Sequence, residues 1–164
     1  MLPIRTILHP TDFSEPSKYA FQIASALARD YGARLVVLHV ATPPVVAYGE
    51  APVDPELLQF DEEEARDRLS RLLAADPGVR AEHLLKTGDP ATEILVVSEA
   101  YRADLIVMGT HGRTGLARLL MGSVAEQVVR KAACPVLTLK APVPTVAPAS
   151  NTPEGAGGRR QGSA

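Results

Sequence analysis

Met108-Gly109-Thr110-His111-Gly112-Arg113-Thr114-Gly115, with its sequel Met121-Gly122-Ser123-Val124, is the stretch on which the reading of this chain turns. Before it lies Asp104-Leu-Ile-Val-Met108, an apolar run that reads as a buried strand. After it, residues 124–133 read as a helix. The chain therefore leaves a strand through closely spaced glycines and enters a helix at Gly122-Ser123. Glycine permits positive φ and lets a ligand approach bare backbone N–H groups. A helix start adds unpaired N–H donors and a partial positive charge. Together they describe a seat for a phosphate group. The spacing, G-x2-G-x9-G-[ST], is neither the dinucleotide G-x-G-x-x-G nor a Walker A loop, since no Gly-Lys-Ser/Thr closes it.

Working outward, residues 4–9 are short and apolar and read as a first strand, ended by Pro10-Thr11-Asp12. Ser14 is a helix cap, with Glu15 and Pro16 in the first turn. Ala20, Ile23, Ala24, Leu27 and Tyr31 recur at helical spacing, and Gly32 stops the helix. Residues 34–40 form a continuous apolar run, as expected of a parallel strand covered on both faces. A proline-rich loop over 41–53 leads to a second helix opened by Asp54-Pro55, in which Asp61-Glu-Glu-Glu64 reads as a solvated face. Residues 79–86 are a third strand, less apolar and so nearer an edge. Asp89 caps a third helix with a buried stripe of Ile94, Leu95, Ser98 and Tyr101. Residues 135–140 are a fifth strand, with a proline at its start.

Residues 1–140 thus form one domain. Residues 141–164, rich in Pro, Gly and Ala with almost no large apolar side chain, read as a disordered tail. The alternation β-α-β-α-β-α-β-α-β calls for an α/β fold, a five-stranded parallel sheet with helices on both faces. Right-handed crossovers and flavodoxin/Rossmann-like precedent suggest the strand order 3-2-1-4-5. In that order the winding reverses between strands one and four, where ligands bind beyond the carboxyl ends. Those ends are Pro10-Thr11-Asp12 and Met108-Gly109-Thr-His111-Gly112. Motif chemistry and topology choose the same crevice.

Composition narrows the function classes. The net charge of −2 gives no field to recruit nucleic acid, and the absence of tryptophan, with only seven Phe and Tyr, weakens any base-stacking platform for it. No apolar run is long enough to span a membrane. The opening reaches Pro3 and Arg5 too soon for a secretory leader, and the single Cys134 gives no sign of an oxidising compartment, so a cytoplasmic location is expected. Cys134 reads as a small buried hydrophobe, and His9 and His39 as hydrogen-bonded structural residues.

Ile-Leu-His-Pro-Thr-Asp-Phe-Ser near the start, Gly88-Asp89-Pro90, the run from Asp104 to Gly115, Met121-Gly-Ser-Val-Ala-Glu126 and Ala-Ala-Cys-Pro-Val-Leu137 together resemble the universal stress protein family, over residues 4–140. The resemblance implies an α/β fold, a homodimer through the last strand (residues 135–140), and, in the branch carrying this glycine motif, bound ATP. Mg2+ or Mn2+ would ride on the phosphates. It also implies a stress-response or regulatory role in place of one defined reaction. By resemblance Asp12 lies near the adenine end, and Val40 offers main-chain polar groups to the base.

Each role has a plainer alternative. Asp12 could be only an acid at a helix start, Val40 plain core, and Gly109 and Gly112 ordinary turn glycines. Gly122, Ser123 and Val124 are expected to hold the terminal phosphates, against Ser123 serving only as a cap. Arg113 and Arg118 suit phosphate neutralisation, while His111 either shapes the loop or meets phosphate. Two other functions stay open: a slow metal-dependent ATP hydrolase, for which no general base can be assigned, and a nucleotide-free protein-interaction module.

Overall fold

The computed structural model describes residues 3–42, 55–74, 76–110 and 121–140; the 141–164 tail and the motif residues His111, Gly112, Arg113 and Arg118 lie outside them. Five strands, β1 (Thr6–Thr11), β2 (Arg34–Ala41), β3 (Ala81–Thr87), β4 (Leu105–Gly109) and β5 (Val136–Leu139), alternate with four helices, α1 (Glu15–Tyr31), α2 (Pro55–Ala74), α3 (Pro90–Ala100) and α4 (Ser123–Lys131). The sheet order is β3-β2-β1-β4-β5, all pairs parallel. This is the expected 3-2-1-4-5 α/β sheet, and β3 is at an edge.

Alternation along the strands builds two apolar layers. Ile7, Leu35, Val37 and Val107 pack with Ala20, Phe21, Ala24 and Ala28 of α1 and Leu69 of α2. Leu8, Val36, Leu38, Ile106 and Met108 pack with Ala91, Ile94 and Val97 of α3 and Ala125 and Val128 of α4. The buried stripe of α3 runs through Ala91, Ile94, Val97 and Ser98. Leu95 and Tyr101, expected in that stripe, are only half-buried, because they lie beside the face that Ala91, Ile94, Val97 and Ser98 turn to the core. Cys134 is also only half-buried against this layer, and its surroundings raise its thiol pKa through desolvation, so it is not a thiolate. Among the described residues no helix is long and apolar enough to cross a membrane.

Helix α1 follows its sequence signals. Ser14 Oγ accepts from the Ser17 N–H at 3.3 Å. Gly32, in the left-handed region at φ 63°, closes the helix while the Ala33 N–H donates to Ala28 at 2.8 Å.

Strand β1 runs two residues further than its apolar stretch suggests, because Pro10 and Thr11 stay in register with Leu38 and His39 of β2. In a parallel strand successive residues direct their backbone groups to opposite neighbours. Arg5 O accepts from Arg34 of β2, and Thr6 O accepts from Asp104 next to β4. Odd residues of β1 therefore address β2 and even ones β4, so the missing N–H of Pro10 falls on the β4 side. The β1–β4 ladder accordingly stops at Leu8↔Ile106. The next acceptor, Val107 O, takes the His9 Nδ1–H at 2.8 Å instead. An imidazole replaces the proline's absent donor, and beyond it β1 and β4 part.

Candidate functional site

A cleft of about 550 Å³ opens where β1 and β4 separate. Every predicted site residue within the described chain lines it: Pro10, Thr11, Asp12, Val40, Met108, Gly109, Gly122, Ser123 and Val124. The sequence reading did not include Phe13, His39, Thr42, Glu64, Ala65, Arg68 or Pro90, which line it as well. Glu64 was read with its neighbours as a solvated face; it stands at the cleft mouth, paired with Arg68 four residues on. No local signal marks these α2 residues, since only the crossover from β2 to β3 brings their face to the strand ends.

The β1–α1 junction is tightly fixed. Thr11 Oγ1 accepts from Ser17 Oγ at 2.8 Å and from the Phe13 N–H at 3.1 Å. Asp12 Oδ1 accepts from the Ser14 N–H at 3.1 Å and Ser14 Oγ at 2.6 Å. Asp12 is thus an acid at the helix start and also a wall of the cleft; its other oxygen has no hydrogen bond among the described residues. These bonds hold Phe13 at φ 63°, the left-handed region that a bulky residue seldom adopts.

On the β2 side, the Arg34 N–H donates to Arg5 and the Leu35 N–H to Arg80 beside β3. Even residues of β2 therefore face β1. Val40 is even and lies one step past the last β1 pair, Thr11↔His39. Its carbonyl faces the gap beyond β1, where the Phe13 N–H that could meet it is already given to Thr11. Among the described residues no backbone N–H meets this carbonyl, so a main-chain acceptor faces the cleft.

On the other side, Gly122 is the cap residue of α4 and makes no side-chain cap bond. Ser123, expected either to cap or to bind, is the first helical residue and does not cap. The Gly122 N–H donates to Thr110 O at 2.7 Å, drawing the α4 start onto the end of β4. That bond occupies the Gly122 N–H. Ser123, Val124 and Ala125 retain N–H groups without intrahelical partners, because the first helical bond runs from Glu126 to Gly122. By contrast α1 and α3 are closed by Ser14 and Asp89.

The φ of Gly109 is not positive. A Cβ there would lie 3.2 Å from both the carbonyl carbon and Cβ of Pro16, so its bareness admits the first turn of α1.

His9 is fully buried, with its Nε2 unpartnered and its ring 5.7 Å from that of Phe21. Desolvation lowers its pKa from 6.5 to about 4, against the opposing pull of the Val107 carbonyl and the Asp12 charge. His39 Nδ1–H donates to Thr11 O at 2.7 Å. Both histidines are hydrogen-bonded structural residues, as expected. Among the described residues no group of three His, Cys, Asp or Glu could hold a metal ion.

Residues 3–140 match the universal stress protein family. The chain belongs to that family. It is 39% identical over 142 residues to universal stress protein MJ0531 of Methanocaldococcus jannaschii, covering 84% of this chain and 83% of that one. Among solved structures, MJ0577 of the same organism superposes with a TM-score of 0.75 at 32% identity, covering 85% of this chain and 97% of that one. UspA from Lactobacillus plantarum gives 0.76 at 27% identity, covering 85% and 99%. Two universal stress proteins in complex with cAMP and with dAMP share the fold, at 24% and 23% identity. Some proteins of this fold therefore bind nucleotides.

Proposed function

We propose that this universal stress protein binds ATP in the cleft and works as a nucleotide-dependent regulatory homodimer. The observation that carries the reading is the uncapped start of α4, aimed at the crevice where β1 and β4 part. Ser123, Val124 and Ala125 N–H groups and the Ser123 hydroxyl suit the terminal phosphates. The Val40 carbonyl suits the adenine amino group, and the second oxygen of Asp12 suits an amino or ribose hydroxyl donor. Gly109, with the loop residues His111, Gly112 and Arg113, completes the phosphate side. Any Mg2+ or Mn2+ would be carried on the phosphates. At a hundredfold over its dissociation constant such a ligand stabilises the fold by about 2.7 kcal/mol, enough to shift a regulatory equilibrium.

The test is mass spectrometry of small molecules released from protein purified without added nucleotide, beside a Gly122→Val variant. Gly122 sits at φ −73°, ψ 157°, a conformation open to valine. ATP or ADP is expected from the wild type alone. An empty wild type that also shows no thermal shift with added ATP would leave the protein-interaction reading in place.

The homodimer rests on β5. The Ile106 N–H donates to Pro135 O and the Thr110 N–H to Leu139 O. Odd residues of β5 thus face β4, and Val136 and Thr138 turn their backbone groups to the open edge. Thr138→Pro removes one outward N–H and no β4 bond, and edge strands accept proline. It is expected to convert a dimer to a monomer in sedimentation; an unchanged mass would rule out pairing through this edge.

A further inference from the structure

The cleft has a wall that the nucleotide reading leaves without a task. The Phe13 and His39 rings lie 4.6 Å apart, inclined at 40°. The Arg68 guanidinium lies over Phe13, 5.6 Å from its centroid. Three flat groups, from β2, the β1–α1 junction and α2, thus meet around Phe13 in the lining of the cleft. Each has a separate brace. His39 bonds to Thr11 O. Phe13 is kept in its left-handed conformation by Thr11 and by the Asp12–Ser14 turn. Arg68 is held by Glu64. Ala65, one helical turn back, adds no bulk in front of the guanidinium, and Arg68 is still 42% exposed. Strained backbone at a bulky residue persists where the surroundings impose it, and such places cluster at ligand sites.

Among the described lining residues Arg68 is the only arginine or lysine. Its helix, however, packs on β2 and β3, the side of Val40, whereas Ser123 starts α4, which is tied to the end of β4. A guanidinium is planar, weakly hydrated and able to stack on π-faces, and its charge here already has a partner in Glu64. We propose that Arg68 is a specificity-determining residue: its planar guanidinium, in the His39–Phe13–Arg68 cluster, is the surface on which the base of a nucleotide rests, favouring the larger purine ring. The inference depends on the nucleotide reading and assigns to Arg68 a contact with the base, not with phosphate.

Isothermal titration of ATP, AMP and CTP into the wild type, Arg68→Ala and Arg68→Lys tests it. Stacking of one base contributes about 1–3 kcal/mol, and about 1 kcal/mol is roughly fivefold in affinity. Arg68→Ala is expected to weaken ATP and AMP alike, by about fivefold or more, and CTP by about twofold, so that the purine preference shrinks. Arg68→Lys should not restore it, because a point charge lacks the planar face. Melting temperatures should stay close to that of the wild type, since an exposed ion pair contributes little. Restoration by lysine, or a loss that grows from AMP to ATP and is equal for CTP, would overturn the base contact in favour of a phosphate clamp. Unchanged affinities would overturn the role altogether while leaving the nucleotide reading intact. A wild type that binds none of the three would overturn both.

Discussion

Lowering the pH through the window from 6.5 to about 4 is expected to remove roughly 3 kcal/mol of folding stability through His9 alone, at 1.36 kcal/mol per pKa unit. The folded protein holds His9 neutral, with Nδ1–H on Val107 O and a bare, buried Nε2. Protonation would put an unpartnered charge in the core. The unfolded chain takes up its proton near pH 6.5 and the folded one only near 4, so in between the unfolded state binds more protons. The stability is fully present above pH 6.5, falls as pH drops through the window, and is lost below it. Urea unfolding at pH 7 and pH 4.5 of the wild type and His9→Asn measures this; the amide keeps a donor near Val107 O but does not titrate. The wild type should lose more stability than the variant over that interval. Equal losses would mean that His9 is not held neutral.

Gly109→Val is expected to destabilise the fold by about 2–3 kcal/mol, in the range of overpacked cores. The new Cβ would meet the backbone of Pro16 at 3.2 Å, and two further methyl groups add bulk to that contact. The same displacement moves the start of α1, which carries Asp12 through Ser14, so ATP affinity should fall at least tenfold. Gly109→Ala should do less, because one methyl requires a shift of only tenths of an ångström and the unfolded chain loses some freedom. Urea unfolding and titration on the same samples decide it. A valine variant of wild-type stability would show that Gly109 is not bare for the sake of Pro16.

The glycine stretch illustrates where sequence reasoning succeeds and where it stops. Its position after an apolar run and before a helix was enough to locate the crevice, because strand ends and helix starts are local consequences of residue order. The reasons for the individual glycines were not local. Gly109 answers to Pro16, far away in the chain, and Gly122 gives its N–H to Thr110 at the end of β4. Likewise Glu64 sits in the acidic run 61–64 that reads as a solvated face, one helical turn before Arg68. Only the packing of α2 on β2 and β3 brings that pair to the cleft and Arg68 over Phe13.

By itself the sequence determined the family, the alternation of strands and helices, the helix limits at Ser14, Gly32 and Asp89, and the two strand ends that face each other. These follow from hydrophobic period, capping chemistry and the rules of parallel crossovers, all of which act over short stretches. Tertiary structure alone decided why the crevice opens where it does. Pro10 withholds a donor from β4, His9 supplies one in its place, and the sheet divides just beyond. A missing hydrogen bond has meaning only when the strand that wanted it is known, and that strand lies about a hundred residues along the chain.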